Sequence, residues 1–106
     1  MKPGPDLAGA FYNDVPEDQH QRLLDMLVKQ PAATGAYIMR NPAYGEVDCV
    51  YIYCENDEAI RVTGQKRTVG RLRDSGADIK EVVLPSGHFP FLSMPEKLLD
   101  TILEAI

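Results

Sequence analysis

The chain lacks the features that mark several large classes of protein. Its 106 residues include no run near the roughly 20 apolar residues that a membrane-spanning helix needs, and no apolar stretch of a secretory signal peptide. Positive charge is scarce, because 11 lysines and arginines oppose 16 acidic residues and leave a net charge of -5. Nucleic acids and anionic membranes bind basic surfaces. We therefore expect a soluble, cytoplasmic protein with neither kind of partner.

Residues that build metal and phosphate sites are also few. The chain has two histidines, His20 and His88, and two cysteines, Cys49 and Cys54. The cysteines lie five residues apart on one predicted strand and face opposite ways, so we expect reduced thiols. A glycine-rich phosphate loop is absent from the sequence. We expect no metal and no cofactor, and we interpret His20 as a solvated surface histidine.

The composition is that of a globular protein, and the length suits one small domain. Its central stretch runs from Cys49 to Glu58 and changes from valine, isoleucine and tyrosine to a cluster of acids. The apolar part predicts a strand that is buried on both faces, as in a parallel sheet. Asp57 then lies just past the carboxyl end of this strand, which is where open α/β sheets bind ligands.

A helix and a second strand are predicted to follow. The helix spans 59–75, with apolar residues at Val62, Val69 and Leu72 and a stop at Gly76, and the strand spans 78–84. Strand, helix and strand in this order form a βαβ unit with two parallel strands. The loop after the second strand carries Ser86-Gly-His88. We therefore expect an α/β fold that brings Asp57 and His88 to neighbouring loops.

The flanking segments are predicted to be mainly helical. Residues 1–15 read as irregular, with Phe11 and Tyr12 docked against other parts of the chain. A helix over 16–29 is expected to be capped by Asp14. Residues 30–46 read as a covering segment with a short helical turn near Pro42. The apolar residues assigned to one face of the 16–29 helix are Leu23, Leu24, Leu27 and Val28.

The last predicted helix spans 95–106. Ser93 as the N-cap and Glu96 three residues later match the capping box that opens many helices. The apolar stripe that we expect this helix to bury consists of Leu98, Leu99, Ile102, Leu103 and Ile106.

The order of these motifs resembles the carboxyl-terminal part of an α/β-hydrolase. The residues that carry the resemblance are Glu55-Asn-Asp-Glu-Ala-Ile after the first strand and Pro85-Ser-Gly-His-Phe-Pro-Phe-Leu-Ser-Met-Pro-Glu before the last helix. The likeness is to small esterases similar to plant hydroxynitrile lyases and methyl-salicylate esterases. It implies that Asp57 is the acid and His88 the base of a Ser-His-Asp triad. Phe11-Tyr-Asn-Asp-Val-Pro is similar to the end of the family's cap, so the likeness covers nearly all of this chain but less than half of a family member.

The departures from the family concern the nucleophile and the pocket. Family members carry the serine on a G-x-S-x-G elbow. The three serines here, Ser75, Ser86 and Ser93, are not in such a motif. Cys54 could replace the serine, although a buried structural thiol is the simpler interpretation. Arg61 stands where relatives usually have proline, and Phe89 where many have a small or polar residue.

A histidine oriented by a carboxylate can still act as a general acid and base. The first hypothesis is a non-hydrolytic isomerase, cyclase or lyase, such as a tailoring enzyme of secondary metabolism, that acts through His88 and Asp57 on a small apolar metabolite. The second is a non-catalytic or complementing subunit of a hydrolase, with the serine supplied by another chain; an inherited, idle pair is a third interpretation. The residues expected to line the pocket are Tyr12, Tyr37, Tyr44, Phe89, Phe91 and Met94.

Assembly is expected because the predicted sheet is incomplete. Two strands and three helices cannot cover both faces and both edges of their sheet, and exposed edges invite pairing. We expect a homodimer with a two-fold interface. Within the chain we expect a cap-like helical segment over 1–46 and a hydrolase-like βαβα unit over 47–106, together one domain. A natural short protein is the favoured interpretation, and a piece of a longer protein is the alternative.

Overall fold

The computed structural model describes residues 6–36 and 42–106. Short 3₁₀ turns lie at Glu17–Gln19 and Ala43–Gly45. The helices and strands, in chain order, are α1 Leu7–Phe11, α2 His20–Asp25, α3 Ala33–Ala36, β1 Cys49–Cys54, α4 Val62–Asp74, β2 Ile79–Leu84, α5 Pro90–Ser93 and α6 Pro95–Ala105.

The predicted βαβ unit is confirmed. Strands β1 and β2 are parallel neighbours, in a register that runs from Cys49 opposite Ile79 to Cys54 opposite Leu84. Backbone bonding continues past the strand ends, because the Glu55 amide donates to the Leu84 carbonyl at 2.9 Å and the Asn56 amide to the Ser86 carbonyl at 2.9 Å. The fold class is therefore α/β, and the loops that follow the two strands are hydrogen-bonded to each other.

Helix α4 packs on one face of the sheet. Its Val69 is almost fully buried beside Tyr53 and Ile79. The helix ends at the predicted glycine, since Gly76 has a φ of 98° that other residues rarely adopt. It begins three residues after the predicted start at Ala59, because the Asp57 carboxylate binds the amides of Ala59 and Ile60 and holds these residues in a turn.

The expectation that β1 is buried on both faces is wrong within this chain. Tyr53 is the one buried residue of the strand, and Val50 is exposed. On β2, Val83 is likewise exposed. Only one face has α4 against it, whereas the apolar run of a parallel strand is typical of a sheet covered on both sides. The strand residues therefore match a larger assembly than the described chain provides.

The last helix begins at Pro95 as predicted, but its capping and burial differ from the prediction. Ser93 closes α5, and Met94 takes the N-cap position without a side-chain hydrogen bond. The expected burial of the apolar stripe is also wrong, because no residue of α6 is buried. Leu99 and Leu103 are 55% and 57% exposed. The described chain has no layer that could cover this face.

The amino-terminal segment is more ordered than predicted. Helix α1 lies where an irregular segment was expected, and the Asp6 carboxylate caps it by accepting the Gly9 amide at 2.9 Å. The helix expected over 16–29 is instead the Glu17–Gln19 turn followed by α2, so Leu27 and Val28 lie beyond its end and are exposed. Docking of this segment is confirmed by a small core of Tyr12, Val15 and Leu23.

Two polar residues of this segment have other partners than predicted. Asp14 does not cap a helix; its carboxylate accepts the Gly87 amide. His20 is half-buried rather than solvated, because its Nε2 lies 2.8 Å from the Val15 carbonyl oxygen and its ring packs on Tyr12. Both side chains therefore serve tertiary contacts, which local sequence patterns do not reveal.

The predicted turn near Pro42 is present at Ala43–Gly45. Tyr37 lies outside the described residues. Every helix among residues 6–36 and 42–106 is too short or too polar to cross a lipid bilayer.

Candidate functional site

Asp57 and His88 are in direct contact at the carboxyl ends of the two strands. His88 Nδ1 lies 2.9 Å from Asp57 Oδ2, and the side chains are 22% and 5% exposed. The parallel pairing of β1 and β2 places these two loops side by side, as expected from the sequence. With Nδ1 turned to the carboxylate, Nε2 is the ring nitrogen that can exchange a proton with a bound molecule.

The Asp57 carboxylate is held in place by its own loop. Its Oδ1 accepts the Ala59 amide at 2.8 Å and the Ile60 amide at 2.9 Å, which leaves Oδ2 to accept from His88. Both oxygens of this buried carboxylate therefore have hydrogen-bond partners, as buried polar groups require. The side chain has one orientation, and this orientation points at the imidazole.

Gln65 secures the loop that carries Asp57. Its Oε1 accepts the Cys54 amide at 2.9 Å, and its Nε2 donates to the carbonyls of Cys54 at 2.9 Å and Ile60 at 2.7 Å. One buried amide thus joins the end of β1, the end of the loop and helix α4. The sequence signal was available: Gln65 falls between Val62 and Val69 on the buried stripe of the helix, where a polar residue needs a specific partner.

Aromatic rings surround His88. Phe89 meets the imidazole edge-on at a centroid distance of 4.6 Å, and Phe11 lies tilted over it at 5.3 Å. Phe11 comes from helix α1, so the amino-terminal segment contributes to the site. These two rings cover part of the imidazole, whose side chain is 22% exposed.

The expected pocket residues are only partly brought to the dyad. Phe89 touches His88, and Phe91 packs on Phe89 at 5.3 Å while 57% exposed. Met94 lines a shallow depression of about 450 Å³ with neighbouring residues of α5 and α6. Tyr12 is 3% exposed in the amino-terminal core, and its ring packs on Phe89 at a centroid distance of 5.7 Å.

Tyr44 also lies away from the dyad. It stands in the turn before β1, where its carbonyl oxygen faces the Cys49 thiol at the opposite end of the strand from Asp57. The strand separates the two ends, so Tyr44 is not brought beside His88 by this chain.

Serine chemistry has no support among the described residues. The hydroxyl of Ser86 donates to the Gly87 carbonyl and that of Ser75 to the Leu72 carbonyl, while the buried Ser93 hydroxyl is unpaired. None of the three is hydrogen-bonded to His88 in the described part of the chain. Cys54 is a free thiol like Cys49, and it is the backbone of Cys54 that Gln65 binds. The described residues contain no group of three potential metal ligands.

A separate polar network lies on the α4 face of the sheet. The Tyr53 hydroxyl donates to Glu81, which also pairs with Arg73 at 3.2 Å. Burial and this hydrogen bond raise the pKa of Tyr53 to about 12, and the bond from Tyr53 lowers the pKa of Glu81. Burial likewise raises the pKa of Tyr51. The network joins both strands to the end of α4 and is structural.

The fold and the dyad define a class: an α/β unit with a histidine and a carboxylate at the carboxyl ends of parallel strands. No family model matches the chain. The chain is similar to a protein of Phoma sp. described as "Probable hydrolase R7", with 32% identity over 76 residues. The match covers 71% of this chain and 28% of that protein, so the chain spans under a third of its relative's length. The relationship is hydrolase-like in this coarse sense.

Proposed function

We propose that the chain is a small acid–base enzyme in which His88 transfers protons and Asp57 orients it. The observation that carries the proposal is the contact of 2.9 Å between His88 Nδ1 and a carboxylate whose other oxygen is already bound by two amides. A carboxylate held in this way fixes the tautomer of the imidazole and stabilises the imidazolium that forms during proton transfer.

The chemistry needs no covalent intermediate. When the imidazole of His88 is neutral, its Nδ1–H donates to the Asp57 carboxylate and the lone pair on Nε2 accepts a proton from a C–H or O–H group of the substrate. The electron pair released on the substrate shifts to form a double bond, expel a leaving group or close a ring. The imidazolium then returns its proton to another atom of the product or to the leaving group. Isomerisation, elimination and cyclisation are all balanced by this sequence.

The substrate class follows from the surroundings of the imidazole. Phe11 and Phe89 flank the ring, and Phe91 extends the aromatic surface. A small, largely apolar metabolite with one acidic proton fits such a site, because aromatic walls bind apolar groups and few polar groups are offered. Tailoring of a natural product is a reaction of this kind.

The second candidate is a complementing part of a hydrolase, in which another chain supplies a serine to His88. Two observations favour it: the similar protein of Phoma sp. is named as a probable hydrolase, and the match covers 28% of that protein's length. The dyad then serves as the acid and base of a triad. The two proposals share Asp57 and His88 and differ in whether the chain acts without a nucleophile.

Deuterium exchange distinguishes these candidates without knowledge of the exact substrate. Small apolar ketones and cyanohydrins are incubated with the protein in D₂O, and loss of C–H signals is followed by NMR, alongside hydrolysis of aryl esters. We expect exchange without hydrolysis, and loss of exchange in His88→Ala by roughly 100-fold or more.

The matched control is His20→Gln, which removes the other imidazole but keeps a donor for the Val15 carbonyl. It should exchange at the wild-type rate. Wild-type exchange in His88→Ala contradicts the acid–base proposal, and ester hydrolysis that begins only when a second chain is added favours the complementing subunit.

A further inference from the structure

One short segment reaches both loops of the dyad. The Asn13 amide Nδ2 donates to the Asn56 carbonyl at 2.7 Å, and the Asp14 carboxylate accepts the Gly87 amide at 2.6 Å. Asn56 directly precedes Asp57, and Gly87 directly precedes His88. Two consecutive side chains therefore bind the residue before each member of the dyad.

The segment that carries them is itself anchored. Tyr12 and Val15, on either side of the pair, are 3% and 5% exposed, and the Val15 amide donates to the Tyr12 carbonyl at 3.0 Å to close the turn. His20 binds the Val15 carbonyl from the next turn. Asn13 and Asp14 thus project from a rigid turn that the amino-terminal core holds in position.

Gly87 is what allows so close an approach. A Cβ placed on it would lie 2.2 Å from Asn13 Oδ1 and 2.5 Å from Asp14 Oδ1. The two polar side chains occupy the space that any other residue at position 87 would need. This packing explains the glycine of the Ser-Gly-His sequence by its contact with the amino-terminal turn.

We propose that Asn13 and Asp14 are positioning residues that set the separation between the Asp57 and His88 loops. The loops also bond to each other directly, because the Asn56 amide donates to the Ser86 carbonyl, and the bonds from Asn13 and Asp14 add a second pair of contacts, at Asn56 and Gly87. The bonds from Asn13 and Asp14 fix the residues that directly precede Asp57 and His88. Their catalytic importance rests on the proposed function; their effect on the dyad does not.

The test reads the tautomer of His88 from its ring ¹⁵N chemical shifts, which requires no substrate. In the wild type we expect Nδ1 to carry the proton toward Asp57, and a wild-type protein with the proton on Nε2 would overturn the inference. In Asn13→Ala and Asp14→Ala the dyad should loosen, so the Nε2–H tautomer that free imidazole prefers becomes the major species. Turnover, measured on the substrate of the exchange assay, should fall roughly 100-fold, mostly in kcat, as expected for a misplaced catalytic group.

Two variants separate positioning from general stability. Asp14→Asn keeps an oxygen for the Gly87 amide and should retain the wild-type tautomer. Asp6→Ala removes the cap of α1 in the same segment without touching either loop, and should lower the melting temperature while leaving the tautomer unchanged.

The outcomes distinguish this inference from the proposed function. A shifted tautomer in a protein that shows no turnover in any variant supports positioning and contradicts the enzyme. A wild-type tautomer in folded Asn13→Ala and Asp14→Ala overturns the inference. If Asp14→Ala does not fold, the exposed Asn13 decides: a wild-type tautomer in Asn13→Ala overturns the inference, and a shifted one supports it.

Discussion

The dyad shows how separate atoms of one residue take separate roles. Asp57 Oδ1 shapes the backbone by binding the Ala59 and Ile60 amides, while Oδ2 binds His88. The bonds to the two amides already fix the carboxylate, so the bond to His88 requires little further loss of side-chain entropy. A substitution that kept only the charge would keep neither the turn nor the aim of the carboxylate.

At the same scale, Gly87→Ala should destabilise the protein by about 1–3 kcal/mol. The new methyl group would displace the Asn13 and Asp14 side chains and break their bonds to the two loops. Urea unfolding measures the change.

Gly70→Ala is the control, because a Cβ at this position of α4 meets no atom within 4 Å. Alanine is the better helix former, so this change should stabilise by up to about 1 kcal/mol. If the two variants changed the free energy of unfolding equally, the close contact at Gly87 would not contribute to stability.

At the scale of elements, β1, β2 and α4 are held together by both apolar and polar contacts. Val69 and Tyr53 form the buried interior, and the Tyr53 hydroxyl extends from it to the Glu81 and Arg73 pair at the edge. This unit is the rigid base that carries the dyad loops. The network of Tyr53, Glu81 and Arg73 within this unit makes the stability of the protein depend on pH.

Stability should fall as the pH rises from about 10 to about 12. Burial and the bond to Glu81 raise the pKa of Tyr53 from 10.0 to about 12, so the folded state favours the neutral phenol. This contribution is complete below the pKa of the unfolded chain and is lost as the pH passes the folded value. Thermal unfolding at a series of pH values should show the decline, and Tyr53→Phe should flatten it.

The acid side has the opposite sign. The hydrogen bond from Tyr53 lowers the pKa of Glu81 below 4.5, so its contribution is present above that value and is lost as the pH falls through the lower, folded one. Glu81→Gln should reduce the loss of stability at acid pH.

If the decline in stability at alkaline pH is identical in the wild type and in Tyr53→Phe, that decline is caused by groups other than Tyr53.

The whole molecule exposes apolar surface that an isolated domain would cover. Helix α6 shows Leu99, Ile102 and Leu103 to solvent, Ile106 directly after the helix is exposed, and so is Phe91 of α5. Contiguous apolar patches of this kind mark interaction sites. The homodimer expected from the incomplete sheet is therefore a proposal that this surface supports, with the hydrolase partner as its competitor.

Leu103→Glu should convert a dimer into a monomer, since a carboxylate in the centre of an apolar interface costs several kcal/mol. Multi-angle light scattering of the purified protein measures the mass. Asp100→Asn on the same helix is the control and should leave the mass unchanged. A monomeric wild type would contradict the homodimer and leave the apolar face to a different chain.

Sequence reasoning was most successful where the signal was local. The two strands, Gly76 at the end of α4 and the start of α6 at Pro95 follow from strand-forming residues, positive φ and the preference of proline for the first turn. It failed at Asp14 and Ser93, because capping residues suit many local structures and their partners are decided by packing. It failed for the α6 stripe, because an apolar face predicts burial without saying by what.

The sequence by itself determined the α/β class and the loops that carry Asp57 and His88, because strand order and parallel pairing leave the residues after both strands at one edge of the sheet. Tertiary structure alone decided which side chains hold that pair. Gln65, Asn13 and Asp14 act through bonds to backbone groups 5 to 73 positions away, and such contacts leave no periodic trace in the chain. Periodicity records which face is buried, whereas a hydrogen bond between distant segments exists only after they have packed.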